Sequence, residues 1–376
     1  MNSFLTAPVW VDTADGLRRM CASLLMQPRI AIDTEANSLY AYREQVCLIQ
    51  FSIPGIDYLV DPLTLHDLTP LADIFSSPVL EKVFHAAEYD LLGLQRDYGF
   101  TFTNIFDTML AARILGYKQL GLGSLLAEKF QVEIDKRFQK ADWGARPLPP
   151  GLIDYARLDT HYLLELRDIL EKELRERGRL ELAHEDFRRS CYVTNGNRQV
   201  KERWERIDGQ QDLTPRGRTI LNELCISREK LADAAESPLF KVLSDHALLK
   251  LAQAEPESID ALKGAGLSER QIDRFGRALL EAIQRGQTAP LVKPTETEKP
   301  SNATLNRLNK LKNWRKKKAE ELGVESDIVL PRVYLMPLAE QNPCTLESLS
   351  SVMGDSPWRV EHFGTEILKS LGAKPG

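Results

Sequence analysis

Short apolar runs, separated by turn-forming residues, indicate that the first part of the chain is rich in β-strands. Four of these runs predict strands, at residues 29–34, 45–53, 57–61 and 82–85. Pro54-Gly55 supplies a turn between the second and third strands. A helical pattern near residues 68–75 separates the third strand from the fourth.

Helical periodicity takes over from residue 88 onward. It predicts helices at residues 88–98, 107–115 and 123–130, and a long helix from residue 150 to about 177. Pro149-Pro150 is typical of a helix start and Gly178 of a helix stop. A β-rich start that includes a hairpin, followed by helices, predicts an α/β domain in which helices cover a mixed sheet.

The rest of the chain is helical in two blocks, about residues 214–285 and 302–371, joined by a segment rich in Pro, Thr, Glu and Lys. The blocks resemble a diverged repeat, because Leu221-Asn222-Glu223-Leu224 is echoed by Leu305-Asn306-Arg307-Leu308. Chance similarity between two helical bundles is the alternative. The predicted organisation is a first domain over 1–205, a helical domain over 212–288, a linker over 289–301 and a second helical domain over 302–376.

Composition narrows the class of protein. With 376 residues, 43% of them apolar and 27% charged, the chain is long enough for two or three folded domains. No run approaches the roughly 20 apolar residues that cross a bilayer. Asp12 and Asp15 interrupt the region where a secretory signal would be apolar, so a cytoplasmic protein with no membrane partner is expected. Five scattered cysteines predict neither a disulfide framework nor a zinc site.

The net charge of −5 argues mildly against a nucleic-acid-binding protein, which is typically basic. Two effects can offset this argument. A cluster of metal-binding carboxylates makes a metal-free chain more acidic than the loaded protein. An enzyme that holds only a few nucleotides at a strand end also needs few phosphate contacts.

Asp33 and Glu35 are the first candidates for chemistry. Two residues apart on a strand, they point to the same side of the sheet. Their carboxylates repel each other there unless a cation lies between them, and hard oxygen ligands favour magnesium or manganese. Taken alone, the pair also fits an ordinary solvated strand end.

Two further acidic positions lie on predicted helices. Asp90 falls in the first turn of a helix, where the helix dipole favours any aspartate. Tyr155 and Asp159 are four residues apart and share one face of the long helix. An aspartate among apolar residues is costly unless it has a partner, for example a metal ion. An exposed aspartate beside a packing tyrosine is the alternative.

The order of these elements resembles the DEDD exonuclease superfamily in its tyrosine-bearing subclass, and within it the ribonuclease D family most closely. The segments that carry the closer resemblance are 85–91 (H-A-A-E-Y-D-L), 106–113 (F-D-T-M-L-A-A-R) and 139–148 (Q-K-A-D-W-G-A-R-P-L). The two C-terminal blocks resemble HRDC domains. The resemblance implies an α/β nuclease domain, with a ribonuclease H-like mixed sheet flanked by helices, followed by two small all-α domains.

The resemblance also implies a function, a 3′-5′ exoribonuclease that releases nucleoside 5′-monophosphates. Asp33, Glu35, Asp90 and Asp159 would bind two divalent ions, Mg²⁺ or Mn²⁺, and Tyr155 would orient the attacking water. The partners would be single-stranded RNA 3′ ends, in tRNA precursors and other small stable RNAs. The oligomeric state is not implied.

Candidate substrate contacts lie around these residues. Phe51, His85 and Tyr89 could stack on terminal bases, although Phe51 also fits core packing and His85 a buried hydrogen bond. Arg146 could contact phosphates or lie in a solvated loop, as could Arg137. Asp107 is expected to cap a helix.

Two alternatives to this function stay open. A DNA 3′-5′ exonuclease would use the same carboxylates, because only contacts to the 2′-OH distinguish RNA from DNA. A non-catalytic nucleic-acid-binding scaffold would usually have lost a ligand, whereas all four carboxylates and the tyrosine are present. One basic run could follow an RNA backbone or form a solvated helix face. It comprises Lys310, Lys312, Arg315, Lys316, Lys317 and Lys318.

Overall fold

The computed structural model describes residues 6–192, 202–295 and 299–372, which fall into two compact units. The first unit contains the described parts of residues 1–36, 46–193 and 299–376. The second contains residues 37–45 and the described parts of 194–298. The C-terminal helical block therefore belongs to the same unit as the first part of the chain.

A six-stranded mixed sheet forms the centre of the first unit. The strands are β1 (Val9–Val11), β2 (Arg29–Ala36), β3 (Val46–Ile53), β4 (Ile56–Val60), β5 (Glu81–Phe84) and β6 (Ile105–Asp107). Their order across the sheet is β1-β4-β3-β2-β5-β6. The central strands β2, β3 and β4 pair antiparallel, and the outer pairs are parallel. The predicted mixed sheet is confirmed, while β1 and β6 are too short to leave a period-two pattern in the sequence.

Helices cover both faces of this sheet, as predicted. They are α1 (Ala14–Leu25), α2 (Ala72–Ser76), α3 (Glu88–Tyr98), α4 (Thr108–Leu115), α5 (Leu122–Phe130), α6 (Pro150–His161), α7 (Leu163–Glu176) and α8 (Leu180–Ser190). On one face, Ile32 and Phe51 share a core with α1, α2 and α3. On the other face, Ala31 packs in a core with α4, α5, α7 and α8, and Leu48 packs with α6.

The single long helix predicted over residues 150–177 is wrong, because the chain forms two helices there. Tyr162, with φ −99° and ψ 0°, lies outside helical geometry and separates α6 from α7. The end of α6 is tied to the sheet, since Thr160 Oγ1 lies 2.7 Å from Ser52 Oγ and His161 Nδ1 lies 2.9 Å from a carboxylate oxygen of Asp57. Neither Gly nor Pro marks the break, so the periodicity of the sequence runs across it.

The two C-terminal helical blocks follow the same succession of a long helix, a single turn, a ten-residue helix, a short helix and a second long helix. In the second unit these are α9 (Pro215–Ala234), α10 (Leu239–Val242), α11 (Asp245–Ala254), α12 (Ile259–Gly264) and α13 (Glu269–Thr288). In the first unit they are α14 (Asn302–Leu322), α15 (Ser326–Val329), α16 (Arg332–Gln341), α17 (Leu346–Val352) and α18 (Pro357–Leu371). The matching succession supports the predicted repeat.

The segments between the domains are described only in part. Trp204 and Ile207 pack in the core of the second unit. In the predicted linker, Thr295 donates from its backbone N–H to Glu205 at 2.6 Å, and residues 296–298 lie outside the described residues. The domain boundaries stay predictions. Across the described ranges, no helix combines the length and the apolarity needed to cross a membrane.

Candidate metal centre and active site

Three of the predicted ligands meet on the face of the sheet that α6 covers. Carboxylate oxygens of Asp33, Glu35 and Asp159 lie within 4.8 Å of one another. Asp33 and Glu35 reach this place because alternate residues of β2 point to the same face. Asp159 reaches it from the last turn of α6, which packs on that face. Such a group of hard oxygen donors fits a divalent cation of the magnesium type.

The fourth carboxylate, Asp90, is held beside this group by the residue between the first two. Thr34 donates to Asp90 Oδ1 from its backbone N–H at 3.0 Å and from its hydroxyl at 2.6 Å. Asp90 is buried in the first turn of α3. Sequence reasoning assigned no role to Thr34, although its place inside D-x-E, facing the opposite side of the strand, was a usable signal.

Asp107 shapes the turn that carries Asp90. It caps α4 as predicted, accepting from the backbone N–H groups of Met109 and Leu110 at 2.8 and 3.1 Å. The same carboxylate also accepts from the backbone N–H groups of Ala86 and Ala87, at 3.0 and 2.9 Å. Ala86 has a φ of +64°, which is uncommon for a residue with a side chain. Asp107 therefore stabilises the left-handed turn immediately before α3.

Burial, with repulsion between like charges, raises the pKa values of the carboxyl groups in the cluster. Burial and then the carboxylates of Asp90, Asp159 and Glu35 raise the pKa of Asp33 well above its usual range. Burial, followed by Asp159 and Asp90, does the same to the pKa of Glu35. Burial raises the pKa of Asp90 to about 7 against the lowering effect of Thr34, and burial and then Asp90 raise the pKa of Asp159 to about 7. Like charges held this close are stabilised by a bound cation.

The metal-free protein should lose thermal stability as pH rises from about 4 to about 7. The carboxyls of Asp90 and Asp159 have a pKa of about 7 in the folded protein and about 3.9 in an unfolded chain. Between these two pH values the folded state binds more protons than the unfolded chain. The resulting contribution to the free energy of unfolding is therefore fully present at low pH and is lost as pH rises through 7. Melting temperatures measured in chelator between pH 4.5 and 8 test this.

The control for this pH experiment is Asp159→Asn, whose melting temperature should fall less over the same pH range. Added Mg²⁺ should restore the wild-type melting temperature at pH 8. Equal pH slopes for the wild type and Asp159→Asn would contradict the expectation.

Tyr155 lies on α6 one turn before Asp159 and is almost fully buried. Its ring packs 5.9 Å from that of Phe138 and 6.1 Å from that of Trp143. Burial, followed by Asp159 and the β2 carboxylates, raises the pKa of the phenol, and a hydrogen bond with Gln139 only partly lowers it. Tyr155 therefore remains protonated near neutral pH, which suits a residue that orients a water rather than a base.

A buried ion pair anchors α6 beneath the cluster. Arg157 donates from Nη2 to Asp57 Oδ2 at 2.6 Å, and both side chains are buried. Burial alone would raise the pKa of Asp57, but hydrogen bonds with His161, Ser52 and Arg157 lower it on balance. Sequence reasoning missed this anchor, because Asp57 and Arg157 are 100 residues apart in the chain.

The aromatic candidates for base stacking differ in position. Phe51 is fully buried in the core and packs against Phe75, so its predicted stacking on a base is corrected to core packing. His85 Nδ1 lies 2.9 Å from Thr108 Oγ1, and burial lowers the pKa of its imidazole. This contact matches the buried hydrogen bond given as the alternative. Tyr89 is 66% exposed beside Asp90, so stacking on a base stays a prediction for this ring.

Arg146 is a structural clamp, which contradicts both predictions made for it. Its guanidinium makes two bonds of 2.8 Å to the carboxylate of Asp61. Three more bonds reach the carbonyl oxygens of Trp143, Ala145 and Cys47, at 2.8, 2.8 and 2.6 Å. A guanidinium has five N–H donors, so none remains for a phosphate. Sequence alone could not show this, because Asp61 and Cys47 lie far away in the chain.

The six side chains of the basic run on α14 fall into two groups, two that contact other residues of the protein and four that are exposed. Arg315 donates to the carbonyl of Leu330 at 2.9 Å, and Lys318 pairs with Glu366 at 2.8 Å. The remaining four lysines are exposed, and no ion pair joins them to a residue in the described ranges. They are Lys310, Lys312, Lys316 and Lys317. RNA contact stays a prediction for these four side chains.

Comparison with known proteins matches the chain to two families. The family described as 3′-5′ exonuclease matches residues 8–175, and the HRDC domain family matches residues 218–283 and 304–371. A ribonuclease D from Jannaschia sp. (strain CCS1) is 30% identical over 98% of this chain and 96% of that protein. Two matches to one family confirm the repeat predicted in the C-terminal half.

Solved structures give the same result. RNase D from Escherichia coli is 25% identical, with a TM-score of 0.72 over 99% of this chain and 100% of that chain. The catalytic core of RRP6 from Trypanosoma brucei is 28% identical, with a TM-score of 0.65 over 76% of this chain and 81% of that chain.

Proposed function

Because this chain belongs to the ribonuclease D family of 3′-5′ exoribonucleases, we propose that it matures the 3′ ends of tRNA precursors and other small stable RNAs. Exoribonuclease activity follows from the family. The choice of RNA is supported by the Escherichia coli relative, which is described as an exoribonuclease involved in structured RNA processing.

The observation that carries the proposal is the carboxylate cluster. The family depends on divalent metal ions, and oxygens of Asp33, Glu35 and Asp159 lie within 4.8 Å of one another with Asp90 beside them. Burial raises the pKa of all four carboxyls, and repulsion within the cluster raises those of Asp33, Glu35 and Asp159 further. Bound cations stabilise the charged forms of these groups. We assign Asp33, Glu35, Asp90 and Asp159 as ligands of two ions, Mg²⁺ or Mn²⁺.

The residues of the chain then have separate roles. A pair of such ions, when bound, neutralises charge on the attacking and leaving oxygens of an in-line displacement. The four carboxylates hold the ions, and Thr34 and Asp107 keep Asp90 in place. The protonated phenol of Tyr155 hydrogen-bonds the water that attacks the terminal phosphorus. The bond from phosphorus to the 3′ oxygen breaks, leaving a 3′-hydroxyl on the shortened strand and releasing a nucleoside 5′-monophosphate.

The test is a gel assay on a 5′-labelled single-stranded RNA and a DNA of the same sequence. Wild type should shorten the RNA stepwise from its 3′ end with Mg²⁺, and chelator or Asp90→Asn should abolish shortening. A tRNA precursor with a 3′ extension should be trimmed to its mature end.

The other outcomes of this assay identify the alternatives. Equal shortening of DNA would favour a DNA exonuclease. Retained RNA binding without cleavage by the wild type would favour a scaffold. Trimming of the unstructured RNA without trimming of the tRNA precursor would contradict the proposed substrate only.

A further inference from the structure

Gln50 has a buried side-chain amide beside the carboxylate cluster. This amide has no part in the proposed metal binding or in the orientation of the water. Gln50 lies in the middle of β3, paired with Asp33 on one side and Leu59 on the other. Its side chain is fully buried. Within residues 6–192, 202–295 and 299–372, neither Nε2 nor Oε1 of Gln50 has a hydrogen-bond partner. A buried amide without partners destabilises a fold, so each such group requires an explanation.

The strand register shows which polar group Gln50 faces. Residues directly opposite on antiparallel strands point to the same side, with β-carbons about 4.5–5.5 Å apart. Gln50 therefore projects to the same side as Asp33, the side covered by α6. Its neighbours along β3 on that side are Leu48, which is apolar, and Ser52, whose hydroxyl already contacts Asp57 and Thr160.

Asp33 is therefore the polar residue directly opposite Gln50 on the two flanking strands, because Leu59, on the other flank, is apolar. Other buried atoms without a partner occur in the described residues, but each is one atom of its side chain. Examples belong to Trp143, Arg228 and Arg315. In the described chain, Gln50 alone has both polar atoms unpartnered, and it lies directly opposite a proposed metal ligand.

We propose that Gln50 is a positioning residue of the metal centre, whose amide nitrogen donates to the Asp33 carboxylate when cations are bound. The inference rests on the proposed role of Asp33 as a ligand. A carboxylate that binds a cation through one oxygen keeps acceptor sites free, and a donor fixed by the sheet holds it in one orientation. Magnesium also carries water into most protein sites, which supplies donors for Oε1.

Gln50→Met tests the proposal, because methionine is similar in size and lacks the amide. Titration calorimetry with Mn²⁺ should show a loss of metal affinity of about 10–100-fold, the usual effect of removing a partner of a ligand. The melting temperature in chelator should equal or exceed that of the wild type, because an unpartnered buried amide is gone. The rise in melting temperature on adding Mn²⁺ should be smaller than in the wild type.

Leu48→Met is the matched control, since it changes the adjacent position on the same side of β3 without removing a polar group. It should bind Mn²⁺ like the wild type. Wild-type affinity in Gln50→Met, or an equal fall in melting temperature with and without Mn²⁺, would overturn the role of Gln50 while leaving the metal centre intact. Failure of the wild type itself to bind Mn²⁺ would overturn the proposed function as well.

A measurement on the wild type removes any dependence on the folding of the variant. The side-chain amide signal of Gln50 in an NMR spectrum should shift when Mg²⁺ replaces chelator, and its hydrogen exchange should slow. An unchanged signal in a sample whose other resonances report bound Mg²⁺ would overturn the proposal.

Discussion

Asp33→Ala should lower the rate of RNA trimming by on the order of 10³-fold or more, without unfolding the protein. A ligand of a catalytic cation accounts for several kcal/mol of transition-state stabilisation, and each 1.36 kcal/mol corresponds to a factor of ten in rate. In chelator the variant should melt at a higher temperature than the wild type, because it removes one carboxyl and its repulsion of Asp90, Asp159 and Glu35. Single-turnover assays and thermal melts measure the two effects.

Tyr155→Phe separates metal binding from water orientation at the same site. It should keep wild-type Mn²⁺ affinity and lose about 10²-fold in rate, the scale of one positioned hydrogen bond. The control for loss of a charge is Asp154→Ala, since Asp154 is exposed and lies next to Tyr155 on α6. This variant should be fully active. Near-normal trimming by Asp33→Ala would refute the ligand assignment, and lost metal affinity in Tyr155→Phe would refute the division of roles.

Arg359→Met should destabilise the first unit by about 3–5 kcal/mol, the usual cost of removing one partner from a buried ion pair. Arg359 is fully buried and donates to Glu185 Oε2 at 2.8 Å and to Asp186 Oδ2 at 3.0 Å. It also donates to the carbonyl oxygen of Ile328 at 2.8 Å. Without the guanidinium, two carboxylates on α8 are left buried with a deficit of positive charge. Urea unfolding of the full chain gives the free energy of unfolding.

The matched control for this stability measurement is Lys172→Met on α7 of the same unit. Lys172 pairs with Glu176 across 4.0 Å at the surface, and such exposed pairs contribute about 0–1 kcal/mol. If Arg359→Met lowered the free energy of unfolding no more than Lys172→Met, the buried ion pair would not be a main contributor to the packing of α18 on α8.

The sequence predicted those helices and strands whose ends and faces are set by residues close together in the chain. The helix predicted over residues 88–98 matches α3, because Gly99 ends it in a left-handed conformation that glycine adopts freely. The D-x-E pair follows from the two-residue period of a strand. Residues 45–53 were predicted as a strand, but periodicity could not show which face of β3 Phe51 occupies, since every residue of β3 is buried.

Long-range contacts account for what the sequence could not show. Thr34 holds Asp90 across 56 residues of sequence, and Arg146 binds Asp61 across 85. Both pairs depend on how the strands are ordered in the sheet, which no window of sequence contains. The break at Tyr162 has the same origin, because the side chains that end α6 are held by residues of β3 and β4.

The ion pair between α8 and α18 also sets an order of events during synthesis. Glu185 leaves the ribosome 174 residues before Arg359, an interval of roughly 9–35 s at about 5–20 residues per second. Throughout that time the nascent nuclease has its carboxylates on α8 but not the guanidinium that neutralises them. The active-site residues are all translated long before this, yet the unit that carries them completes its packing only when the last helix of the described chain has emerged.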